Sequence, residues 1–104
     1  MSMYVFIDSL MNGVERMKIL KSATAGTMES SDAYVEIEPG CGRLNITIES
    51  VVKKQFGERI EASAKEVFGE YGVADATVRI VDRGALDCVI RARVETAILR
   101  AKEN

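Results

Sequence analysis

The fold of this chain is decided by residues 33–50, which run AYVEIEPGCGRLNITIES. In the first half Val35 and Ile37 alternate with glutamates, which is the period of a strand with one buried face. The second half alternates in the same way, and three aliphatic residues share one face: Leu44, Ile46 and Ile48. Residues 39–42 between the halves, PGCG, contain the only proline of the chain and two glycines. This pattern predicts an antiparallel hairpin with one solvent-exposed face.

Beyond residue 50 the period of the apolar residues changes from two to that of a helix. Ser50 is a suitable N-cap, and Gly72 is a suitable residue just past the C-terminus of the helix. The apolar stripe of this helix consists of Val52, Phe56, Ile60, Ala64, Val67, Phe68 and Tyr71. A second amphipathic helix is predicted from about Ala85, with Leu86, Val89, Ile90, Val94, Ala97 and Ile98 as its stripe.

Two further segments complete the predicted elements. Residues 19–28 are a weakly patterned first strand, and residues 76–81 alternate as a fourth strand that ends at Asp82. The predicted order is therefore β-β-β-α-β-α. Two amphipathic helices on one face of a mostly antiparallel sheet would bury every apolar stripe, so the predicted fold class is α+β.

The length of 104 residues predicts one domain. Residues 1–16, MSMYVFIDSLMNGVER, have no basic segment followed by a sustained apolar run, so they do not resemble a signal peptide. We treat them as an N-terminal extension and residues 17–104 as the folded domain. Because patterning begins at Met17, that methionine is a second plausible start, and residues 1–16 are either translated upstream sequence or an ordinary extension.

Composition and charge exclude several classes of protein. The net charge of −2 gives no electrostatic reason to bind nucleic acid or an anionic membrane. The chain contains no histidine, so a Ser-His-Asp triad is excluded. Cys41 and Cys88 are far apart and lack metal-ligand or redox spacing, which indicates a reducing compartment such as the cytoplasm. Cys88 falls within an apolar run and is predicted to be a small core residue.

The charged residues suggest no metal site. Glu36, Glu38 and Glu49 are dispersed by strand alternation, whereas a divalent cation needs carboxylates converging in one shell. On the second helix, Asp87–Arg91 and Arg91–Glu95 have the spacing of i,i+4 pairs. A solvated helix face is the favoured interpretation. The alternative is a docking surface in which Arg91 and Arg93 meet carboxylates of a partner or phosphates of a cofactor.

Residues 26–32, GTMESSD, form a small polar segment between two predicted strands. A serine in a turn is usually only a turn residue, and Ser30 cannot be a conventional catalytic nucleophile in a chain without histidine. An exposed turn serine can, however, accept a covalent group that another enzyme delivers. The residues themselves are compatible with both interpretations.

Three blocks then carry a resemblance: AGTMESSD at 25–32, KQFG at 54–57 and DRGALDCVIRAR at 82–93. From Met17 onward the chain resembles the acyl carrier (γ) subunit family of citrate lyase, and residues 17–104 would be the acyl carrier domain. The resemblance implies that Ser30 carries a phosphodiester-linked 2'-(5''-phosphoribosyl)-3'-dephospho-coenzyme A. The family has glycine after this serine, so Ser31 is an alternative attachment hydroxyl, although Glu29 and Asp32 favour Ser30.

The resemblance also implies a division of labour. The carrier would be non-catalytic, without a metal, and its arm would hold an acetyl thioester that an α subunit exchanges for a citryl thioester. A β subunit would cleave the citryl group to oxaloacetate, and a transferase would form the holo-carrier in the cytoplasm. Two alternatives stay open: the related carrier subunit of malonate decarboxylase, which uses the same kind of group, and a small cofactor-free interaction module.

Overall fold

The structure is a computed structural model that describes residues 17–50 and 54–102. Its elements are β1 (Ala23–Gly26), β2 (Ala33–Pro39), β3 (Leu44–Ser50), α1 (Lys54–Glu70), β4 (Ala76–Asp82) and α2 (Asp87–Lys102). The predicted order β-β-β-α-β-α and the α+β class are thus confirmed. The N-terminal extension, residues 1–16, lies outside the described residues. Residues 51–53 do too, so the predicted packing of Val52 and the predicted N-cap at Ser50 fall outside the described part of the chain.

The four strands form one mixed sheet in the order β1-β2-β4-β3. Strand β2 pairs antiparallel with β1 and β4, whereas β3 pairs parallel with β4. The predicted hairpin of residues 33–50 is therefore wrong, because β4 lies between its two strands. Strands β3 and β4 are instead joined through α1, which is the usual connection between parallel neighbours.

The link between β2 and β3 explains how β4 fits between them. Pro39 at the end of β2 and Leu44 at the start of β3 are both in register with Ala76, the first residue of β4. The link crosses this end of β4, where the Gly42 N–H donates to Asp75 Oδ1 at 2.9 Å. Alternation records which face of a strand is buried and carries no information about its neighbour, so the same pattern fits either pairing.

The core lies between the sheet and the two helices, which pack against each other on one face. Helix α2 packs over β1 and β2, and α1 packs over β3. The largest fully buried side chains are Phe68, Ile37, Ile80, Ile90, Ile98, Val35, Val78 and Val94. The predicted placement of two amphipathic helices on one face of the sheet is therefore confirmed.

Helix α1 ends as its sequence predicts. Gly72 has a φ of 69°, and its N–H donates to Gly69 O at 3.1 Å. The Val73 N–H donates to Phe68 O at 2.9 Å, which completes a Schellman motif. The left-handed conformation suits glycine because a Cβ would be strained there.

Helix α2 differs from its prediction at the N-terminal end. It begins at Asp87, and Leu86 is 72% exposed instead of lining the core. The prediction of a buried Cys88 is wrong, because this thiol is exposed. The buried stripe of α2 includes Ile90 and Val94, and Cys88 lies two residues, or about 200° of helical rotation, away from Ile90. Within the two described ranges, no helix is long and apolar enough to cross a membrane.

Candidate functional site

Residues 27–32 connect β1 to β2, and we call them the Ser30 turn. Ser30 and Ser31 at its tip are both exposed. None of the side chains or backbone groups in the described ranges hydrogen-bonds to the Ser30 hydroxyl. The predicted turn is thus present, and the Ser30 hydroxyl has no hydrogen-bond partner among the described residues.

The shape of the Ser30 turn depends on Asp32 and Thr27. The Thr27 hydroxyl donates to Asp32 Oδ2 at 2.7 Å and accepts the Glu29 N–H at 3.2 Å. The Asp32 N–H donates to Glu29 O at 3.1 Å, and Asp32 Oδ1 accepts the Ala33 N–H at 2.7 Å. The Thr27 side chain therefore binds a backbone group within the turn and the Asp32 side chain binds the first backbone N–H of β2, which is how threonine and aspartate favour turns.

Arg93 of α2 fixes the same carboxylate from the other side. Its Nε donates to Asp32 Oδ1 and its Nη2 to Asp32 Oδ2, both at 2.9 Å. This bidentate arrangement matches the planar guanidinium to the carboxylate. The hydrogen bonds from Arg93, and then those from Thr27 and the Ala33 N–H, hold the pKa of Asp32 well below its ordinary value, against the opposing effect of burial. The same pair raises the pKa of Arg93.

The backbone of Ser31 helps to fix the turn. Its φ is 67°, in the left-handed region where glycine is favoured over residues with a Cβ. Its N–H donates to Arg83 O at 2.8 Å, and the Arg83 N–H donates to Asp32 O at 2.9 Å. These two bonds join the turn to the residue that follows β4. The backbone at Ser31 thus has a conformation that suits glycine better than a residue with a Cβ.

Gly26 determines how the chain enters the turn. Its φ is 90°, and a Cβ built on it would lie 1.8 Å from Ala33 O. This backbone crossing at the ends of β1 and β2 leaves no room for any side chain. Gly26 opens the polar segment of the sequence, but no local pattern marks this close approach.

Arg91 does not make the predicted pairs within α2. Its Nη1 lies 2.8 Å from Glu66 Oε1 and its Nη2 lies 3.8 Å from Glu70 Oε2, both on α1. The two acidic residues expected to pair with Arg91 accept hydrogen bonds from other side chains: Asp87 from Ser63 and Glu95 from Tyr71. The i,i+4 prediction is wrong because α1 packs beside α2. The docking alternative is also weakened, since Arg91 and Arg93 both bind carboxylates of their own chain.

Two glutamates form ion pairs with one arginine on the face of the sheet that the helices do not cover. Because β2 and β3 flank β4, Glu36 and Glu49 lie on either side of Arg79, with N–O distances of 3.1 and 2.6 Å. Their carboxylates are therefore less dispersed than predicted, and both form ion pairs. In the part of the chain that the structure describes, no three His, Cys, Asp or Glu side chains are grouped to hold a metal ion.

Asp82 shapes the loop beside the Ser30 turn. It is the buried charged residue at the end of β4, with 2% of its surface exposed. Its Oδ1 accepts the N–H groups of Gly84 and Ala85 at 3.0 and 2.9 Å, and its Oδ2 accepts the Ser50 hydroxyl at 2.9 Å. In the sequence, Asp82 is recognisable only as the residue at which the fourth strand ends. Its carboxylate in fact fixes the loop from which Arg83 contacts the turn.

Comparisons with known proteins match most of this chain. The family model described as "Malonate decarboxylase delta subunit (MdcD)" matches residues 20–101. The citrate lyase acyl carrier protein of Pectobacterium carotovorum subsp. carotovorum (strain PC1) is 49% identical over 87 residues, which are 84% of this chain and 91% of the relative. The citrate lyase acyl carrier protein of Haemophilus influenzae (strain PittEE) is 53% identical over 87 residues, 84% of this chain and 90% of the relative.

A solved structure shows a similar fold. It is a chain of a Pseudomonas malonate decarboxylase hetero-tetramer in complex with malonate, and it superposes with a TM-score of 0.72 at 25% sequence identity. The match covers 85% of this chain and 91% of that one. The likeness therefore extends over most of both chains.

Proposed function

This chain belongs to the citrate lyase acyl carrier protein family, and on that premise we propose that it is the acyl carrier subunit of a citrate lyase, modified at Ser30. The observation that carries the proposal is the exposed Ser30 hydroxyl, which has no partner among the described residues and lies at the tip of a turn held by Asp32 and Arg93. A modifying enzyme needs access to such a hydroxyl and a fixed backbone around it. Both conditions are met here.

The residues around Ser30 fit a phosphodiester-linked group. The hydroxyl can form the ester bond, and Arg83, which is exposed, contributes a cation beside the turn. Among the described residues Arg83 has no carboxylate partner, in contrast to Arg93. We propose 2'-(5''-phosphoribosyl)-3'-dephospho-coenzyme A as the group, which when bound supplies the thiol for thioester chemistry. Ser30 would hold it covalently and Arg83 would balance the charge of its phosphate.

The role of the surrounding residues is to hold the backbone at Ser30 in a fixed position. Asp32 and Arg93 fix the backbone on one side of Ser30, and Ser31 joins it to Arg83 on the other. The point of attachment is therefore rigid, whereas the attached arm is free to move. A tether of this kind raises the effective concentration of the acyl group at the active sites of partners. In this proposal the α and β subunits of the lyase do the chemistry and a transferase attaches the arm.

The relatives are named as carrier proteins, which is consistent with a non-catalytic subunit. The chain has no histidine, so a histidine general base would have to come from a partner. We propose that the carrier works in the cytoplasm. Cys41 and Cys88, which are both exposed and unpaired, support that placement.

Intact-mass measurement tests the proposal. The chain is produced with and without the family's transferase enzymes, and we expect a mass gain equal to the phosphoribosyl-dephospho-coenzyme A adduct only with them. Ser30→Ala should abolish the gain. Ser31→Gly is the matched control, because it removes the neighbouring hydroxyl and keeps a residue suited to the positive φ. A gain lost in Ser31→Gly and kept in Ser30→Ala would move the attachment to Ser31.

The carrier subunit of malonate decarboxylase is the second candidate. The matching family model and the similar solved chain both favour it. The relatives at 49–53% identity, against 25% for the solved chain, favour citrate lyase. The holo-protein, acetylated, should support citrate cleavage when mixed with lyase α and β subunits. Turnover of malonate with decarboxylase subunits instead would establish the alternative, and absence of any adduct would favour an interaction module.

A further inference from the structure

An apolar groove opens at the end of the molecule that carries the Ser30 turn. It has a volume of about 340 Å³ and lies between the first turns of α1 and the loop that leads into α2. Its apolar lining consists of Phe56, Ile60, Ala85, Leu86 and Ile90. Two of these side chains are unusually exposed for their size, Leu86 at 72% and Phe56 at 42%. We call this site the Leu86 groove.

The Leu86 groove lies close to the proposed point of attachment. Arg83 is bonded through its backbone to Ser31 and Asp32, and three residues later Leu86 lines the groove. Three residues span at most about 11 Å when fully extended. The buried carboxylate of Asp82 fixes the loop between these points. An arm attached at Ser30 therefore begins within one short loop of the groove.

The charges at this end divide into two zones. Arg83 beside the turn, and Arg59 at the groove with its guanidinium 5.8 Å from the centre of the Phe56 ring, have no carboxylate partner in the described ranges. Asp82 and Asp87 also line the groove, so its charged lining consists of two carboxylates and the guanidinium of Arg59, a net charge of −1. This net negative charge disfavours a phosphate inside the groove, whereas a neutral chain with amide groups and methyl groups suits its apolar walls.

We infer that the Leu86 groove holds the neutral pantetheine portion of the arm attached at Ser30, while the phosphates stay beside Arg83. The inference rests on the proposed function, because it needs a coenzyme A-type arm. An arm of this kind has an anionic nucleotide part next to the protein and a neutral, partly apolar part toward its thiol. The order of the two zones, arginine first and apolar groove beyond it, matches that order. Docking in the groove would protect the thiol from solvent while the arm is not bound at the active site of a partner subunit.

Methyl NMR of the isolated apo- and holo-proteins is the first test. The methyl groups of Ile60 and Ile90 report on the groove and are distant in sequence from Ser30. We expect their resonances to differ between the apo- and holo-forms of the parent protein. In the Leu86→Ser variant, the apo- and holo-forms should give the same Ile60 and Ile90 resonances. Leu20→Ser is the matched control, because Leu20 is also an exposed leucine, at 53%, and lies away from the groove. It should leave the shifts unchanged.

Alkylation of the arm thiol by iodoacetamide is the second test. Cys41 and Cys88 are replaced by serine first, because both are exposed and would also react. In the deacylated holo-protein, Leu86→Ser should accelerate alkylation of the arm about three- to tenfold through loss of apolar contact. Leu20→Ser should react at the rate of the parent protein.

The outcomes separate this inference from the function on which it rests. Absence of any adduct in the intact mass overturns the proposed function. An adduct with unshifted Ile60 and Ile90 methyl groups, and equal alkylation rates in the parent and Leu86→Ser proteins, overturns only the groove inference. Methyl shifts that appear only when lyase subunits are added also overturn it, and would assign the groove to a partner protein.

Discussion

Asp32 and Arg93, 61 positions apart in the sequence, form a bidentate ion pair with both N–O distances at 2.9 Å. The carboxylate belongs to the turn that presents Ser30, and the guanidinium belongs to α2. The side chain of Asp32 is only 14% exposed, so the pair is partly shielded from water and from salt. The position of the proposed attachment serine therefore depends on a helix at the other end of the sequence.

The first prediction concerns this pair. Arg93→Gln removes the cation and leaves the partly buried Asp32 carboxylate with fewer donors, so the Ser30 turn loses its fixed position. We expect the transferase to attach the arm roughly tenfold more slowly, since small displacements of a reacting group are costly. Attachment is followed by intact mass over time, and the thermal midpoint is expected to fall as well.

Arg91→Gln is the matched control on the same helix. It breaks the contacts of Arg91 with Glu66 and Glu70, which join the two helices away from the turn. Its attachment rate should match that of the unmodified sequence. Equal slowing in Arg91→Gln and Arg93→Gln would show that general loosening of α2, and not the Asp32 pair, is responsible.

The second prediction is a dependence of stability on pH. Folding lowers the pKa of Asp32, chiefly through its hydrogen bonds with Arg93, so at acid pH the unfolded chain binds more protons than the folded chain. The contribution of the pair is complete above the ordinary aspartate pKa of about 4, and it is lost as pH falls below that value toward the folded pKa. Urea unfolding of the parent and Asp32→Asn proteins from about pH 7 to 2.5 measures the difference.

The difference in unfolding free energy between these two proteins should shrink as the pH falls. Glu49 also has a lowered pKa, because it accepts hydrogen bonds from Arg79. Its acid-dependent loss is common to both proteins and cancels in the comparison. A difference that stays constant from neutral to acid pH would contradict an ionised, paired Asp32.

The third prediction separates the backbone role of Ser31 from its hydroxyl. The φ of Ser31 is 67°, a conformation that costs residues with a Cβ about 1–2 kcal/mol. Ser31→Gly removes this strain from the folded protein, but glycine also gives the unfolded chain more conformational freedom, which offsets part of the gain in stability. Ser31→Ala keeps the strain. We expect Ser31→Gly to be about 1 kcal/mol more stable than Ser31→Ala in urea unfolding. Equal stabilities would show that the turn relaxes out of the left-handed region.

Sequence patterns predicted the elements of this fold better than their arrangement. The alternation of residues such as Val35 and Ile48 depends only on which face of a strand is buried, and both the strands and their faces were correct. The insertion of β4 between β2 and β3 depends on contacts between residues more than thirty positions apart, such as Pro39 with Ala76. No local period contains that information, so the hairpin prediction failed.

At the candidate site, too, local features could be predicted from the sequence and long-range contacts could not. The polar composition of the Ser30 turn was visible locally, whereas the partner of Asp32 was not, because Arg93 lies 61 positions away and was considered only as part of a docking surface on α2. The exposure of Cys88 was missed because its apolar neighbours in sequence were taken as a guide to its burial, although Cys88 lies about 200° of helical rotation from Ile90 and so falls outside the buried stripe.

The last prediction concerns the entry to the Ser30 turn. Gly26→Ala places a Cβ 1.8 Å from Ala33 O in a backbone with φ of 90°, and neither the backbone oxygen nor the strand pairing can move freely. We expect a loss of more than about 3 kcal/mol in urea unfolding, or failure to fold. Gly57→Ala is the matched control, since a Cβ there meets nothing within 4 Å in α1, and it should stabilise the protein by about 0.5–1 kcal/mol. A mild effect of Gly26→Ala, comparable in size to that of Gly57→Ala, would mean that the two strands separate readily at this point and that the turn is not held by the sheet.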